Sequence, residues 1–244
     1  ALESSCSIYG AKFNQQFIVQ HCIATSATER DSFRGTKYVQ SDLKDTFPQI
    51  QADLNNHKGV LFTGTGCQVA GLKKYLVEAK VNTDKLITND IICHGTPSPL
   101  LWKDYLDFIQ KGNKLKSYTF RCKERGWHGY NVRAEFKNGK KKINRPDVKI
   151  YADLYSSDLA LRPACYHCQF TNIERPSDIT IGDFWGVEKT MPELDDNKGV
   201  SLVLVNTPKG REVFEKIKNE IVFMESNTKD CLQPNLQWPT KIPI

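Results

Sequence analysis

Eight cysteines in 244 residues give this chain a choice of sulfur chemistry, and four of them stand at positions suited to ligation. Cys165 and Cys168 form a Cys-x-x-Cys within Arg162-Pro163-Ala164-Cys165-Tyr166-His167-Cys168. Cys67 follows Gly64-Thr65-Gly66 just after the apolar run Val60-Leu61-Phe62, and Cys93 closes the run that contains Ile91 and Ile92. Soft thiolates gathered in this way suit an iron–sulfur cluster or zinc. The first makes an electron carrier or oxidoreductase. The second makes a metal-stapled binding or assembly module without redox activity, and the residues alone leave both open. Cys6, Cys22 and Cys231 lie in settings where a cysteine is a small buried hydrophobe, while Cys122, in Phe120-Arg121-Cys122-Lys123, is undecided.

The elements that must position these thiols read as α/β. Two runs, 7–11 and 17–22, flank a polar turn and predict a hairpin. Leu43, Phe47, Ile50 and Leu54 have helical spacing, predicting a helix over 42–55. A buried strand at 60–63 is followed by a helix at 69–79, and a second strand at 86–93 by a helix opening at Pro99 with Ser98 as N-cap. Strand–loop–helix units in succession are the grammar of a mostly parallel sheet flanked by helices. Ligands in such a sheet collect beyond the carboxyl ends of the strands, so Cys67 and Cys93 are expected to converge there. A helix starting beside Cys67 would favour its thiolate.

The middle of the chain changes character. Alternation over 117–122 and 130–136, with Asn138-Gly139 as a turn, predicts an antiparallel hairpin insertion within 117–146 of a single domain, 1–244. A helix over 148–161 delivers the chain to the Cys-x-x-Cys loop. Strands at 178–182 and 200–206, a helix at 208–219 and a last strand at 221–224 complete the prediction.

An apolar fraction of 39% with 25% charged residues is that of an ordinary globular protein, and no run reaches the length of a membrane span. The net charge of +6 is modest, and its densest basic run, Lys137-Asn138-Gly139-Lys140-Lys141-Lys142, reads as a solvated turn. With no broader basic stripe interleaved with aromatics, nucleic-acid binding is not expected. With no export signal, the cysteines fit reduced thiols in the cytoplasm better than disulfides. The chain opens at Ala1 without methionine and closes abruptly at Ile244, and both ends read as cut from a longer protein.

Gly64-Thr65-Gly66 can cradle a phosphate by its backbone, yet it lacks a third glycine and a Walker lysine, and a tight turn explains it equally. The aromatic–glycine loops Gly126-Trp127-His128-Gly129-Tyr130 and Gly182-Asp183-Phe184-Trp185-Gly186 can wall a planar ring or simply pack. His94 neighbours Cys93 and is either functional or a loop residue bound to backbone.

Five motifs occur in order: Arg34-Gly35-Thr36-Lys37-Tyr38-Val39-Gln40-Ser41, Phe62 to Leu72 around Cys67, Cys93-His94-Gly95-Thr96-Pro97-Ser98-Pro99, Arg162 to Cys168, and Ser177 to Gly186. With them the chain resembles the coenzyme F420 hydrogenase/dehydrogenase beta-subunit family, from about Tyr9 to Asn206. The resemblance implies a flavin, usually FAD, and iron–sulfur clusters exchanging electrons with a redox partner subunit and with coenzyme F420 or another small organic acceptor. It turns the ligand set Cys67, Cys93, Cys165 and Cys168 toward a 4Fe-4S cluster. It assigns the flavin to Arg34, Gly35, Lys37, Tyr38 and Ser41 together with Gly64, Thr65 and Gly66, Lys37 neutralising a diphosphate. Gly66 stands where the family usually has proline, Cys122 where it usually has an acid, and a ferredoxin-like cysteine array precedes this region in many members. Ser4 and Ser5 read as the tail of such an upstream segment.

Overall fold

The computed structural model describes residues 6–243, so Ser4 and Ser5 lie outside the described residues. Strands β1 (Cys6–Phe13) and β2 (Val19–Ala24) form the expected hairpin, followed by the short α1 (Ala27–Asp31). Helix α2 (Thr46–Asn55) starts later than the periodicity predicts. Asp42 is held instead in a bridge to Gln20, and Lys44 takes φ +41°, which no helix continues through. Strand β3 (Gly59–Thr65) leads directly into α3 (Gly66–Glu78), and β4 (Leu86–Ile91) into α4 (Pro99–Ile109), where Ser98 Oγ accepts from the Leu100 N–H as an N-cap.

Between α4 and the cysteine loop the chain builds a lobe. The expected hairpin is a three-stranded antiparallel sheet, β5 (Leu115–Thr119), β6 (Arg133–Phe136) and β7 (Lys141–Ile143), followed by α5 (Pro146–Ser156). Asn138-Gly139 turns β6 into β7, with Gly139 at φ +84°. Helix α5 ends sooner than expected because Asp158 adopts a left-handed conformation, φ +64°. Strand β8 (Ile179–Asp183), α6 (Val187–Thr190), β9 (Ser201–Val205), α7 (Pro208–Ile217) and α8 (Thr228–Cys231) complete the described elements. The expected strand at 221–224 does not form: Val222 is 97% exposed, and Phe223 meets Phe214 edge-on at 5.2 Å instead of a ladder partner.

The main sheet runs β2-β1-β3-β4-β8-β9. Its centre, β1, β3, β4 and β8, is parallel, and β2 and β9 are antiparallel edges. Val69, Leu72 and Leu76 of α3 and Ile50 and Leu54 of α2 face Val60, Phe62 and Leu86 in one core. A second core joins the lobe to β2: Trp102, Tyr105, Leu106 and Ile109 of α4 pack with Val148, Tyr151 and Ala152 of α5, Phe120 and Val19. A third gathers Trp127, Phe184, Leu202, Leu236 and Cys231, which is thus the buried hydrophobe expected. Cys122 is also buried, whereas Cys6 and Cys22 are only half-buried, a departure from the expectation for them. Cys22 is on the edge strand β2, and Cys6 opens β1 opposite Gly59 of β3.

His21 makes the hairpin sensitive to acid. Its ring stacks on Phe62 at 5.3 Å and its Nε2–H donates to the Thr63 carbonyl at 3.0 Å, leaving Nδ1 buried with no partner. Burial holds its pKa below the usual histidine range; the Thr63 carbonyl opposes this and the Lys37 charge adds to it. The unfolded chain therefore takes up this proton first on acidification, and stability falls with pH from about 6.5 downward until the folded histidine itself titrates. Urea midpoints measured between about pH 7.5 and about pH 5.5 are expected to fall less steeply in His21→Phe than in the wild type.

Candidate functional site

The Cys67 helix starts earlier than the sequence suggests. Gln68 Oε1 accepts from the Thr65 backbone N–H at 3.0 Å, fixing Thr65 as N-cap and placing Cys67 in the exposed first turn of α3. The Thr65 hydroxyl lies 3.1 Å from Cys67 Sγ. Cys93 stands just past β4, on the neighbouring parallel strand. The loop after it is stitched to the cysteine loop: Pro97 bridges Leu161, and the Arg162 N–H donates to the Thr96 carbonyl at 3.0 Å. A short 3₁₀ turn, Pro163–His167, then presents Cys165, whose N–H donates to the Arg162 carbonyl at 2.8 Å.

These loops bring all four thiols into one electrostatic neighbourhood. Burial pushes the Cys93 thiol up to about 12; the Gly95 N–H opposes this, and charges on Cys67, Cys165 and Cys168 all add to it. Cys168 is likewise raised by burial and by Cys67 and Cys165, while the Phe170 N–H and Arg175 pull it down. Among the described residues no group of three or more His, Cys, Asp and Glu closes to the spacing that holds a single metal ion. The donor set is all sulfur and mutually repelling, and the neighbouring Arg175 has a buried Nε without an acceptor. Both features fit an anionic polynuclear cluster.

Gly95 makes the approach of the two loops possible. Its φ is +141°, and a Cβ there would stand 2.8 Å from Leu161 Cδ1 and 3.3 Å from the Cβ of Cys165. Gly95→Ala is expected to cost about 1–3 kcal/mol from the backbone alone, read as a lower denaturation midpoint in urea.

His94 is the loop residue bound to its surroundings. Its Nε2 lies 2.5 Å from Asp158 Oδ1, its ring meets Tyr155 edge-on at 5.5 Å, and its carbonyl accepts from the Thr240 hydroxyl at 2.7 Å. Trp127 is buried and stacks at 4.9 Å on Trp185, so these two aromatic loops pack on one another.

The second residue group divides. Arg34 and Gly35 are exposed, and no atom lies within 4 Å of a Cβ built on Gly35. Lys37 Nζ donates inward to the carbonyls of Ser32, Phe33, Arg34 and Gly35 at 3.0–3.3 Å, and burial lowers its pKa to about 8. Tyr38 stacks on Tyr155 at 4.1 Å and its carbonyl accepts from the Tyr151 hydroxyl, so its ring belongs to the lobe core. Ser41 is joined to the Gly64-Thr65-Gly66 turn by Gln68, whose Nε2 donates to Ser41 Oγ at 2.9 Å. Gly66 is buried under Phe170, and a Cβ on Gly64 would meet Gln68 Oε1 at 3.0 Å.

Three residues without a role in the sequence reading hold this arrangement. Gln68 couples Ser41 to Thr65, and Gln40 Oε1 accepts from Arg162, tying the 34–41 loop to the cysteine loop. Asp90 is the third, a carboxylate inside the apolar strand Leu86–Ile91, and that anomaly was its visible signal.

With this geometry in view, residues 57–230 match the family described as the C terminus of the coenzyme F420 hydrogenase/dehydrogenase beta subunit. The chain belongs to this family. Membership joins it to the beta subunits of hydrogenases and dehydrogenases, and so to redox proteins. Among solved structures, it is similar to a chain of the F420-reducing [NiFe] hydrogenase complex from Methanosarcina barkeri, solved as a xenon derivative. The two share 14% identity and a TM-score of 0.56, over 88% of this chain and 67% of that one, which shows a common fold. No curated protein matches. Among the described residues no helix is long and apolar enough to cross a membrane.

Proposed function

We propose that the chain is a redox subunit in which Cys67, Cys93, Cys165 and Cys168 hold a 4Fe-4S cluster, with a flavin, FAD, at the Ser41–Thr65 edge. When bound, the cluster supplies one-electron transfer and the flavin hydride chemistry. The observation that carries the reading is the convergence of three cysteine-bearing loops at the ends of β3 and β4, where Pro97 bridges Leu161 and a Cβ on Gly95 would stand 3.3 Å from the Cβ of Cys165. Four thiolates on one tetrahedral zinc at about 2.3 Å draw together to about 3.8 Å. A cubane cluster spreads its thiolates over a wider frame.

The chain's own residues would do the holding. Pairing of the loops through Pro97 and Leu161 sets Cys93 against Cys165, and Gln68 fixes both Ser41 and Thr65. Ser41, Thr65, Gly64 and Gly66 line the turn beside which a diphosphate would lie, with exposed Arg34 and Gly35 on the neighbouring loop. Lys37 acts there by shaping that loop through its carbonyl contacts. The acceptor is coenzyme F420 or another small organic molecule, and the electrons pass to or from a partner subunit. Reduced thiols of this kind are what the reducing setting of a cytoplasm would keep.

Anaerobic purification followed by metal, sulfide and flavin analysis tests the reading. Iron with acid-labile sulfide and a brown visible spectrum is the expected result. A colourless protein carrying stoichiometric zinc would overturn it in favour of a metal-stapled module.

A further inference from the structure

Arg175 and Asp90 form an ion pair with side-chain exposures of 1% and 0%, Nη2 to Oδ2 at 2.6 Å. Taking two charges out of water is costly unless geometry and further hydrogen bonds offset it. Here the offset comes from the cysteine loops themselves. Arg175 Nη2 also donates to the carbonyl of Ile91 at 3.1 Å, just upstream of Cys93, and Nη1 donates to the carbonyl of Phe170, just downstream of Cys168. The same Nη2 stands 3.2 Å from where a Cβ on Gly66 would be, immediately before Cys67. One guanidinium thus braces the segments that carry Cys93 and Cys168 and lies close to the one that carries Cys67.

We infer that Arg175 is the positioning residue of the thiol site and that the Arg175–Asp90 pair sets its charge balance; this rests on the iron–sulfur reading above. Only a planar fork of N–H donors reaches a carboxylate and two carbonyls at once, which an ammonium on a flexible stem does not. Asp90 is fixed as firmly on its other side. Its Oδ1 accepts from Ser177 Oγ at 2.8 Å and from Thr180 Oγ1 at 2.5 Å, and Asn206 Nδ2 donates to Thr180 Oγ1 at 2.9 Å. Asp90 Oδ2 also lies 3.1 Å from the Cβ position of Gly66, at the start of α3, where the helix dipole favours a carboxylate.

The electrostatic consequence follows from the dry setting. A cation held in low dielectric beside a redox centre favours the form that carries the extra electron, and an anion disfavours it. The Arg175 charge does reach the thiol set, where it acts on Cys168. Removing each partner should therefore move a midpoint potential in opposite directions.

The test compares Arg175→Gln, Arg175→Lys, Asp90→Asn and the neutral double variant Asp90→Asn/Arg175→Gln in anaerobically purified full chain. Iron per chain, release of iron to a chelator and the midpoint potential are measured. Arg175→Gln is expected to lower the potential and Asp90→Asn to raise it, a sign reversal that loss of packing does not produce. Arg175→Lys should bring the potential back toward wild type while iron still leaves about tenfold faster, because the carbonyl braces are not restored. Should a single variant fail to fold, the double variant, which buries no unpaired charge, should fold and show the same loss of iron retention. Variants with wild-type iron retention, or potentials that move in the same direction, would overturn the inference. A wild-type chain without iron sinks the cluster reading and this inference together. Iron in the wild type with unmoved variants sinks this inference alone.

Discussion

Serine in place of Cys93 is expected to strip the protein of iron and bleach its visible absorbance. Cys93 stands just past β4, beside the strand that leads to Cys67, in the loop stitched to the Cys165 turn. An alkoxide-forming oxygen is a harder ligand than a thiolate and is a poor substitute in an iron–sulfur centre. Loss of a group that merely supports a ligand already costs about 10–100-fold in metal affinity, so loss of the ligand itself should exceed that. Serine in place of Cys67, Cys165 or Cys168 should do the same. Cys22, half-buried with its thiol 4.0 Å from the Gly10 carbonyl, is the control, and Cys22→Ser should keep iron near wild type. Iron assays and visible spectra read the result, with far-ultraviolet circular dichroism confirming the fold. Full iron in all four single variants would place the site elsewhere.

Trp102→Ala should be the most damaging change away from the thiols. Trp102 is 2% exposed, and its ring lies 4.9–5.8 Å from those of Phe13, Tyr105, Tyr118, Phe120 and Tyr151. Its indole N–H donates to the Phe17 carbonyl at 2.7 Å, pinning the lobe to the turn of the first hairpin. Truncating a buried tryptophan costs about 3–5 kcal/mol. Trp102→Phe keeps most of the ring but leaves the Phe17 carbonyl without its donor, for which about 1–3 kcal/mol is expected. Equilibrium denaturation of the two variants separates the packing from the hydrogen bond. A Trp102→Ala variant as stable as Trp102→Phe would show that the aromatic cluster contributes little.

The parallel sheet was legible because its strands carry local signals. Val60, Phe62 and Leu86 are apolar at strand spacing, and Val69, Leu72 and Leu76 at helix spacing, so periodicity alone orders β3, α3 and β4. Boundaries were less visible where a side chain from elsewhere decides them. Nothing local tells that Asp42 will pair with Gln20 and delay α2. The early start of α3, by contrast, does carry a local sign, the Thr65-x-x-Gln68 capping box ahead of the apolar stripe. The apolar run Ile221–Met224 has strand composition but finds no ladder, since β propensity expresses packing against neighbours that are missing there.

Cys67 and Cys93 were legible by their place after strands, and Cys165 and Cys168 by their Cys-x-x-Cys spacing. Their support was not, because it is non-local: Arg175 acts on Asp90, Gln40 on Arg162, and Asp158 on His94. Lys37, assigned to a diphosphate by the family resemblance, makes contacts that the sequence does not announce. Its ammonium is engaged by the carbonyls of the residues just before it.

The bridge between Pro97 and Leu161 also sets a timetable. After β4 the chain leaves the main sheet, builds α4, the three-stranded sheet and α5, and only then returns with the cysteine loop and β8 to lie beside β4. During synthesis Cys67 and Cys93 emerge early, while the loop that closes over them arrives after the whole excursion. Contacts of high sequence separation form late, since loop closure must precede any gain from them. If these thiols hold a cluster as proposed, completion of the set is a checkpoint on the lobe: a nascent chain whose excursion has misfolded presents Cys67 and Cys93 without Cys165 and Cys168. Cluster loading would then select chains that have already finished folding.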